Sequence, residues 1–308
     1  LVVGPMYHVG GIDLPGLGIL WMGGSMVIHR EFEPEATLQS IQDEQINCAW
    51  FAPVMTNILL NLANRDRYDV SSLRWCVGGG ERTPESRIRE FTEFFTNSRY
   101  IDAYGLTESF GGDTLMKAGM EIEKIGSTGQ AIMHLEVDIR DNEGNTLPCD
   151  EDGEICLRGP KITNGYWREP TKTKAAFYPE NWFRSGDIGH LDKDGFLFLT
   201  DRKKDMIISG SENIASSEIE RVVYQMDEVM EAAIIGVPDT QWGERVVAVI
   251  VPKPGTEIDY SMVNTHCRAH LAGFKSPKEL HIVDALPRNP SGKVLKRILR
   301  DHLVSKNN

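Results

Sequence analysis

The chain has 308 residues, a formal net charge of −12, and an ordinary apolar fraction of 41%. That length exceeds what one hydrophobic core usually supports, so two or more domains are expected. The acidic balance argues against nucleic acid or an anionic membrane as a partner held by bulk electrostatics, and leaves small anionic substrates open because a few local cations override the net field.

LVVGP opens as a buried strand, and the following segment to MVIH gives a glycine-rich turn, an apolar helix and a second strand. A chain that begins on a buried strand at Leu1, without a methionine, is expected to lack its natural N-terminus. PEATLQSIQDEQ has helical spacing with early acids, INCAWFAPV is a strand ending at Pro53, and MTNILLNLANR is a helix. LRWCVGGG is a strand running into three glycines, PESRIREFTEFF a helix, and SRYIDAYG a strand into a turn. Strands alternating with helices predict a parallel α/β sheet over residues 1–120.

From about Gly126 the texture changes. HLEVDIRD, GEICLRG, WFRSGDIGHLD and GFLFLTD are short strands separated by turn sequences such as DNEGN and DKDG. They predict an antiparallel sheet or small barrel over 121–201. After the charged junction DRKKD come strands, helices and a last helix, predicting a compact α+β domain over 202–308. The five cysteines (Cys48, Cys76, Cys149, Cys156, Cys267) contain no CxxC, which predicts reduced, mostly buried thiols in a cytoplasmic protein. No apolar run is long enough to span a bilayer.

Several short stretches carry chemistry, each with a plainer alternative. Gly78-Gly79-Gly80 lets backbone approach a flat ligand or anion, or simply makes a tight turn. YGLTES ends a strand, where open α/β sheets place ligands. There Thr107 offers a hydroxyl to phosphate, Glu108 a hard oxygen to Mg²⁺, and Tyr104 a ring face; a solvated loop is the alternative. Asp187, expected in a loop, could accept two ribose hydroxyls or be an ordinary turn aspartate. His8, beside Gly10-Gly11, lines a pocket or is structural. Lys293 in NPSGKV is a point charge deliverable to a phosphate, or a plain surface lysine.

Order and co-occurrence decide between these. PMYHVGG, GGGERTP, YGLTE, GYWREP, WFRSGD, DRKKDMIISGSENI, SSEIE and PSGKVLKR follow one another along nearly the whole chain. Together they resemble the acyl-adenylate-forming enzymes: acyl- and aryl-CoA synthetases, luciferases and peptide-synthetase adenylation domains. The resemblance implies that Thr107 bonds the α-phosphate, Glu108 holds Mg²⁺ and Tyr104 packs on adenine. It implies that Gly79, Gly80, Glu81 and Asp102 line the nucleotide site and that Asp187 and Arg202 hold the ribose. His8 would stand between the acyl pocket and the reaction centre. Lys204 matches the hinge and Lys293 the catalytic lysine of adenylation. Gly210 and Ser211 would border a tunnel for coenzyme A.

Two departures stand out. The family's TSGTTGxPKG phosphate loop should precede PMYHVGG, and no such stretch occurs. The chain is therefore expected to be the C-terminal portion of a longer ligase, inactive by itself. Ser211 stands where relatives commonly have glycine, which bears on thioester formation. The leading expectation is an ATP-dependent ligase joining a fatty or aryl acid to coenzyme A, using ATP/AMP and Mg²⁺, with self-association open. The alternatives are an adenylating enzyme with a carrier-protein or other acceptor, and a non-catalytic nucleotide-binding remnant.

Overall fold

The computed structural model describes residues 1–80, 83–210, 212–289 and 292–306. The chain divides after Leu199 into two compact units, the second starting at Thr200.

The first unit opens with an irregular π-type turn over Ile12–Leu17 and a single helical turn, α1 (Gly18–Trp21). The expected apolar helix is present only in these two short pieces, broken at Leu14. Leu14 is extended (φ −120°, ψ 107°) because Pro15 follows it and a residue before proline is pushed out of the helical region. The expected strand at Leu1–Pro5 is one parallel bridge, Val2 to Ile28. Gly4 favours no strand, and Pro5 brings no N–H, so the ladder stops after one rung.

α2 (Pro34–Asp43) starts on proline, with the Glu33 carboxylate accepting from the Glu35 and Ala36 amides. β1 (Cys48–Phe51), α3 (Pro53–Leu60), β2 (Trp75–Gly79), α4 (Glu85–Phe94) and β3 (Arg99–Tyr104) then alternate. The three strands are parallel, with Phe51 opposite Gly78 and Gly78 opposite Asp102, so their carboxyl ends lie side by side. β4 (Thr114–Leu115) and β5 (Gln130–Ala131) extend this sheet antiparallel beyond β3. β1 is buried along its whole length because α2, α3 and α4 contribute Leu38, Ile41, Leu59 and Phe91 to one core around Phe51 and Tyr100. Each such side chain contributes roughly 1.5–3 kcal/mol by leaving water.

A second sheet follows: β6 (Glu136–Arg140), β7 (Gly153–Arg158), then the short α5 (Pro170–Ala175) and β8 (Phe177–Tyr178), β9 (Trp182–Leu191) and β10 (Leu197–Arg202). Its order is β10-β9-β7-β6, with β8 on β9, an open sheet and not a barrel. Ile139, Ile155, Leu157 and Leu197 pack there around Tyr104, the last residue of β3, so one side chain joins the two sheets.

The second unit contains β11 (Ile207–Ser209), β12 (Glu212–Ile214), α6 (Ser216–Val223), β13 (Val229–Asp239), β14 (Gly243–Pro252), α7 (Tyr260–His270), β15 (Glu279–Ile282) and α8 (Lys296–Lys306). The long antiparallel pair β13–β14 is apolar on both faces. Ala232 and Ile234 pack with Ile219, Val222 and Val263 of α6 and α7, while Ala233, Ile235 and Val237 pack with Leu299 and Leu303 of α8. The period-two alternation of strand side chains places one set on each face. No helix among the described residues is long and apolar enough to cross a membrane.

Candidate active site

The carboxyl ends of β2 and β3 carry the glycine run and the YGLTES turn next to each other. The three glycines differ in what requires them. A Cβ on Gly78 would lie 1.9 Å from the Tyr100 hydroxyl, so this glycine makes room for a core tyrosine that bonds Thr83 at 2.7 Å. A Cβ on Gly79 would meet the Ala103 carbonyl at 2.8 Å across the sheet. Gly80 has φ +94° and open space where a Cβ would point. Only this third glycine presents bare backbone outward. Glu81 lies outside the described residues.

Past Tyr104 the chain folds back on itself. Asp113 N donates to Tyr104 O at 2.7 Å and Gly111 N to Leu106 O at 2.8 Å. Gly105 permits this closure, since a Cβ there would strike Gly112 N at 2.5 Å. Ser109 bonds the buried Asp113, whose carboxylate also pairs with Lys161 at 2.9 Å. Burial nevertheless pushes the Asp113 carboxyl above its ordinary range. The loop is thereby held at its base, while Thr107 at its tip is exposed. Glu108 is half-buried and accepts a hydrogen bond from the Tyr166 hydroxyl at 3.0 Å. Tyr166, in GYWREP, gave no sign of this role in the sequence beyond belonging to a recurring motif.

Asp187 was expected in a loop and lies inside β9. Glu154 pairs with Ile188 and Cys156 with Arg184, so Ser185-Gly186-Asp187 oppose the single residue Ile155. This is a β-bulge, and Gly186 takes φ +74° within it. The letters Ser-Gly-Asp resemble a turn because a bulge uses the same conformations. The bulge aims the carboxylate at the first sheet, where the Tyr104 hydroxyl donates to Asp187 Oδ2 at 2.9 Å. Both residues are buried. Burial first, and the neighbouring Asp187 charge second, push the Tyr104 phenol well above its ordinary value, so it remains a donor. Asp102, also buried, caps the Ala103 amide at 3.0 Å within β3.

His8 sits against Trp50 of β1, ring centroids 5.6 Å apart. Its Nδ1 accepts from Gly10 N at 3.1 Å, which places the proton of the neutral ring on Nε2. Gly10 is required for this packing, since a Cβ would overlap the Trp50 indole at 2.2 Å.

The remaining expected residues belong to the second unit. Arg202 ends β10, and its carbonyl accepts from Asp205 N at 2.8 Å, closing a turn that exposes Lys203 and Lys204. Asp201, just before it, accepts from the Ser216 hydroxyl at 2.7 Å at the start of α6. Gly210 has φ +60° and donates to Trp242 O at 2.8 Å; Ser211 lies outside the described residues. Lys293 N donates to Asn289 Oδ1 at 2.8 Å and Lys293 O accepts from Asn289 N at 2.9 Å, so the lysine sits at a tight reversal before α8.

A single carboxylate at Glu108, with no group of three His, Cys, Asp or Glu side chains able to hold a metal among the described residues, is a poor cage for a structural ion. It fits Mg²⁺, which takes one or two carboxylates and completes its shell with water and phosphate oxygens.

The sequence profile of AMP-binding enzymes matches residues 1–167, and that of the AMP-binding enzyme C-terminal domain matches residues 218–293. The chain belongs to the AMP-binding enzyme family. Among curated relatives, feruloyl-CoA synthase of Amycolatopsis sp is 35% identical over 97% of this chain and 60% of its own length. Among solved structures, the amide bond synthetase McbA from Marinactinospora thermotolerans superposes with a TM-score of 0.84 at 33% identity, covering 91% of this chain and 56% of that one. ATP-bound MatB from Rhodopseudomonas palustris superposes at 0.88 with 30% identity, over 99% and 60%. This member of the AMP-binding enzyme family spans about 60% of the length of the curated relatives it matches. The likeness to these structures covers the mixed α/β architecture of both units.

Proposed function

We propose that the whole protein is an ATP-dependent carboxylic acid–CoA ligase, forming an acyl-adenylate and then a thioester. The observation that carries this reading is the Tyr104–Asp187 bond, which brings the YGLTES turn and the SGD bulge to one place at the carboxyl edge of a parallel sheet. In this reading Asp187 accepts hydrogen bonds from the ribose hydroxyls and Arg202 donates to their oxygens. The Tyr104 hydroxyl is committed to Asp187, so its ring is what meets adenine, beside the bare backbone of Gly80. Thr107 donates to the α-phosphate. Glu108 holds Mg²⁺, which would offset phosphate charge. His8 presents Nε2–H toward the acyl group.

Attack of a carboxylate on the α-phosphate pushes two anions together, so oriented donors and cations must meet the developing charge. Thr107 contributes a neutral donor and Lys293 a full positive charge. Lysine is suited to this because its flexible stem delivers a compact charge and can withdraw once pyrophosphate leaves. Lys204, exposed in its turn, is the pivot for that withdrawal, and Gly210 borders the path of the thiol.

The acid is proposed as aryl or fatty, the classes named in relatives such as feruloyl-CoA synthase, indoleacetate–CoA ligase of Aromatoleum aromaticum and long-chain-fatty-acid–CoA ligase of Mycobacterium tuberculosis. The likeness to an amide bond synthetase favours a second reading, in which the same adenylate passes to an amine. Supplying the whole protein with ATP, a panel of aryl and fatty acids, and either coenzyme A or an amine tests both. Thioester product supports the ligase. Amide product without thioester supports the second reading, and no acid-dependent loss of ATP contradicts both.

A further inference from the structure

The bulge that presents Asp187 is held from behind by a residue to which no role has yet been attached. Glu154 of β7 is 5% exposed. Its Oε2 accepts from Arg184 Nε at 3.2 Å and Nη2 at 2.9 Å, and its Oε1 accepts from Gly186 N at 3.2 Å. Arg184 lies at one end of the bulge, Gly186 at its centre, and Asp187 is the next residue. The guanidinium is itself seated over the Tyr178 ring, 4.4 Å from the centroid. A buried carboxylate is costly unless its oxygens are bonded, and here one oxygen is spent on the bulge and the other on the residue that flanks it.

This arrangement answers a structural need. A bulge leaves an amide without a ladder partner, and a buried N–H must bond something. Gly186, at φ +74°, turns its N–H away from the regular ladder, and Glu154 Oε1 receives it. The Ser185 hydroxyl receives the next amide, Asp187 N, at 3.0 Å. The path of the backbone into Asp187 is thus set by two acceptors, one of them charged. We infer that Glu154 is a positioning residue for Asp187: it fixes the bulge from which the Asp187 carboxylate reaches the nucleotide ribose, and so sets nucleotide affinity without touching the nucleotide. The inference rests on the reading of Asp187 as the ribose acceptor.

Glutamine is the informative replacement because it keeps the size of glutamate. It cannot serve both partners as the carboxylate does, since its NH₂ must face either the Arg184 guanidinium or the Gly186 N–H, a donor against a donor. The bulge should then shift and carry Asp187 with it, while the core is preserved.

The test is the affinity of the whole protein for AMP and for 2′,3′-dideoxy-AMP, measured by titration calorimetry on Glu154→Gln, Asp187→Asn and the double variant. Glu154→Gln is expected to weaken AMP about tenfold, the cost of one misplaced charge-assisted hydrogen bond pair, and to leave dideoxy-AMP within about twofold. In the Asp187→Asn background it should add nothing, as expected of two residues acting through one contact. Equal weakening of both nucleotides, or full additivity in the double variant, would make Glu154 merely structural and overturn the inference. If Asp187→Asn discriminates AMP from dideoxy-AMP and Glu154→Gln does not, the positioning role alone fails. If Asp187→Asn does not discriminate, the ribose assignment fails and the inference with it. Should Glu154→Gln not fold, Arg184→Gln removes the other end of the bracket at a partly exposed position, and the same selective loss, about threefold, is expected; an unselective loss overturns the inference.

Discussion

The Tyr104 hydroxyl donates to Asp187 Oδ2 across 2.9 Å, although the two residues are 83 apart in sequence. One ends a parallel strand and the other sits in the bulge of an antiparallel one, so this bond clamps the two sheets of the first unit together. Tyr104→Phe removes one hydrogen bond to the buried Asp187 carboxylate. It should cost about 1–3 kcal/mol in denaturant unfolding and weaken AMP binding. An unchanged midpoint would show that the bond is replaceable by water.

Gly78→Ala and Gly80→Ala separate packing from presentation. Alanine at 78 collides with Tyr100, and overpacking of this kind costs about 3 kcal/mol. Alanine at 80 meets no atom but must hold φ +94°, costing about 1 kcal/mol. Nucleotide affinity should fall in Gly80→Ala by more than its stability loss explains. Equal stability losses in the two variants would contradict the packing account.

How far the sequence could carry this depends on range. The apolar runs EAAIIGV and CAWF are local patterns, and each stands as a strand in the structure. The apolar helix expected between the glycine-rich turn and MVIH is broken at Leu14, because Pro15 overrides apolar periodicity. Asp187 was legible as a candidate and misplaced in a loop, because its partner Tyr104 and the Glu154 that holds its bulge lie far away and a bulge has the letters of a turn. Lys293 carries no local signal at all. Only the order of several motifs along the chain singled it out.

Tyr166→Phe removes the hydrogen bond to Glu108, 3.0 Å long. If Glu108 holds Mg²⁺, the whole protein should need about two- to fivefold more Mg²⁺ for half-maximal adenylation, with little change in the limiting rate. A fall in limiting rate at unchanged Mg²⁺ dependence would place Tyr166 elsewhere in the chemistry.

The five thiols should react unequally. Cys149 is exposed, and the other four are buried. Burial pushes the Cys267 thiol up to about 11 and the Cys156 thiol up to about 12, with the Glu154 charge adding to the latter. Only Cys149 is open to a reagent in the folded chain. A thiol reagent should label one cysteine of this chain quickly and four only on unfolding, read by peptide mass mapping. Rapid labelling of Cys156 or Cys267 would contradict the packing of their cores.

The proposal that this chain serves carboxylate activation is tested most directly by ATP–pyrophosphate exchange in the whole protein and its Lys293→Ala variant, beside thioester formation from a supplied acyl-adenylate. The account predicts acid-dependent exchange that falls by about a hundredfold or more in Lys293→Ala, with thioester formation largely kept, because the lysine charge is needed only while anions converge. Equal loss in both half-reactions, or exchange indifferent to the lysine, would contradict it.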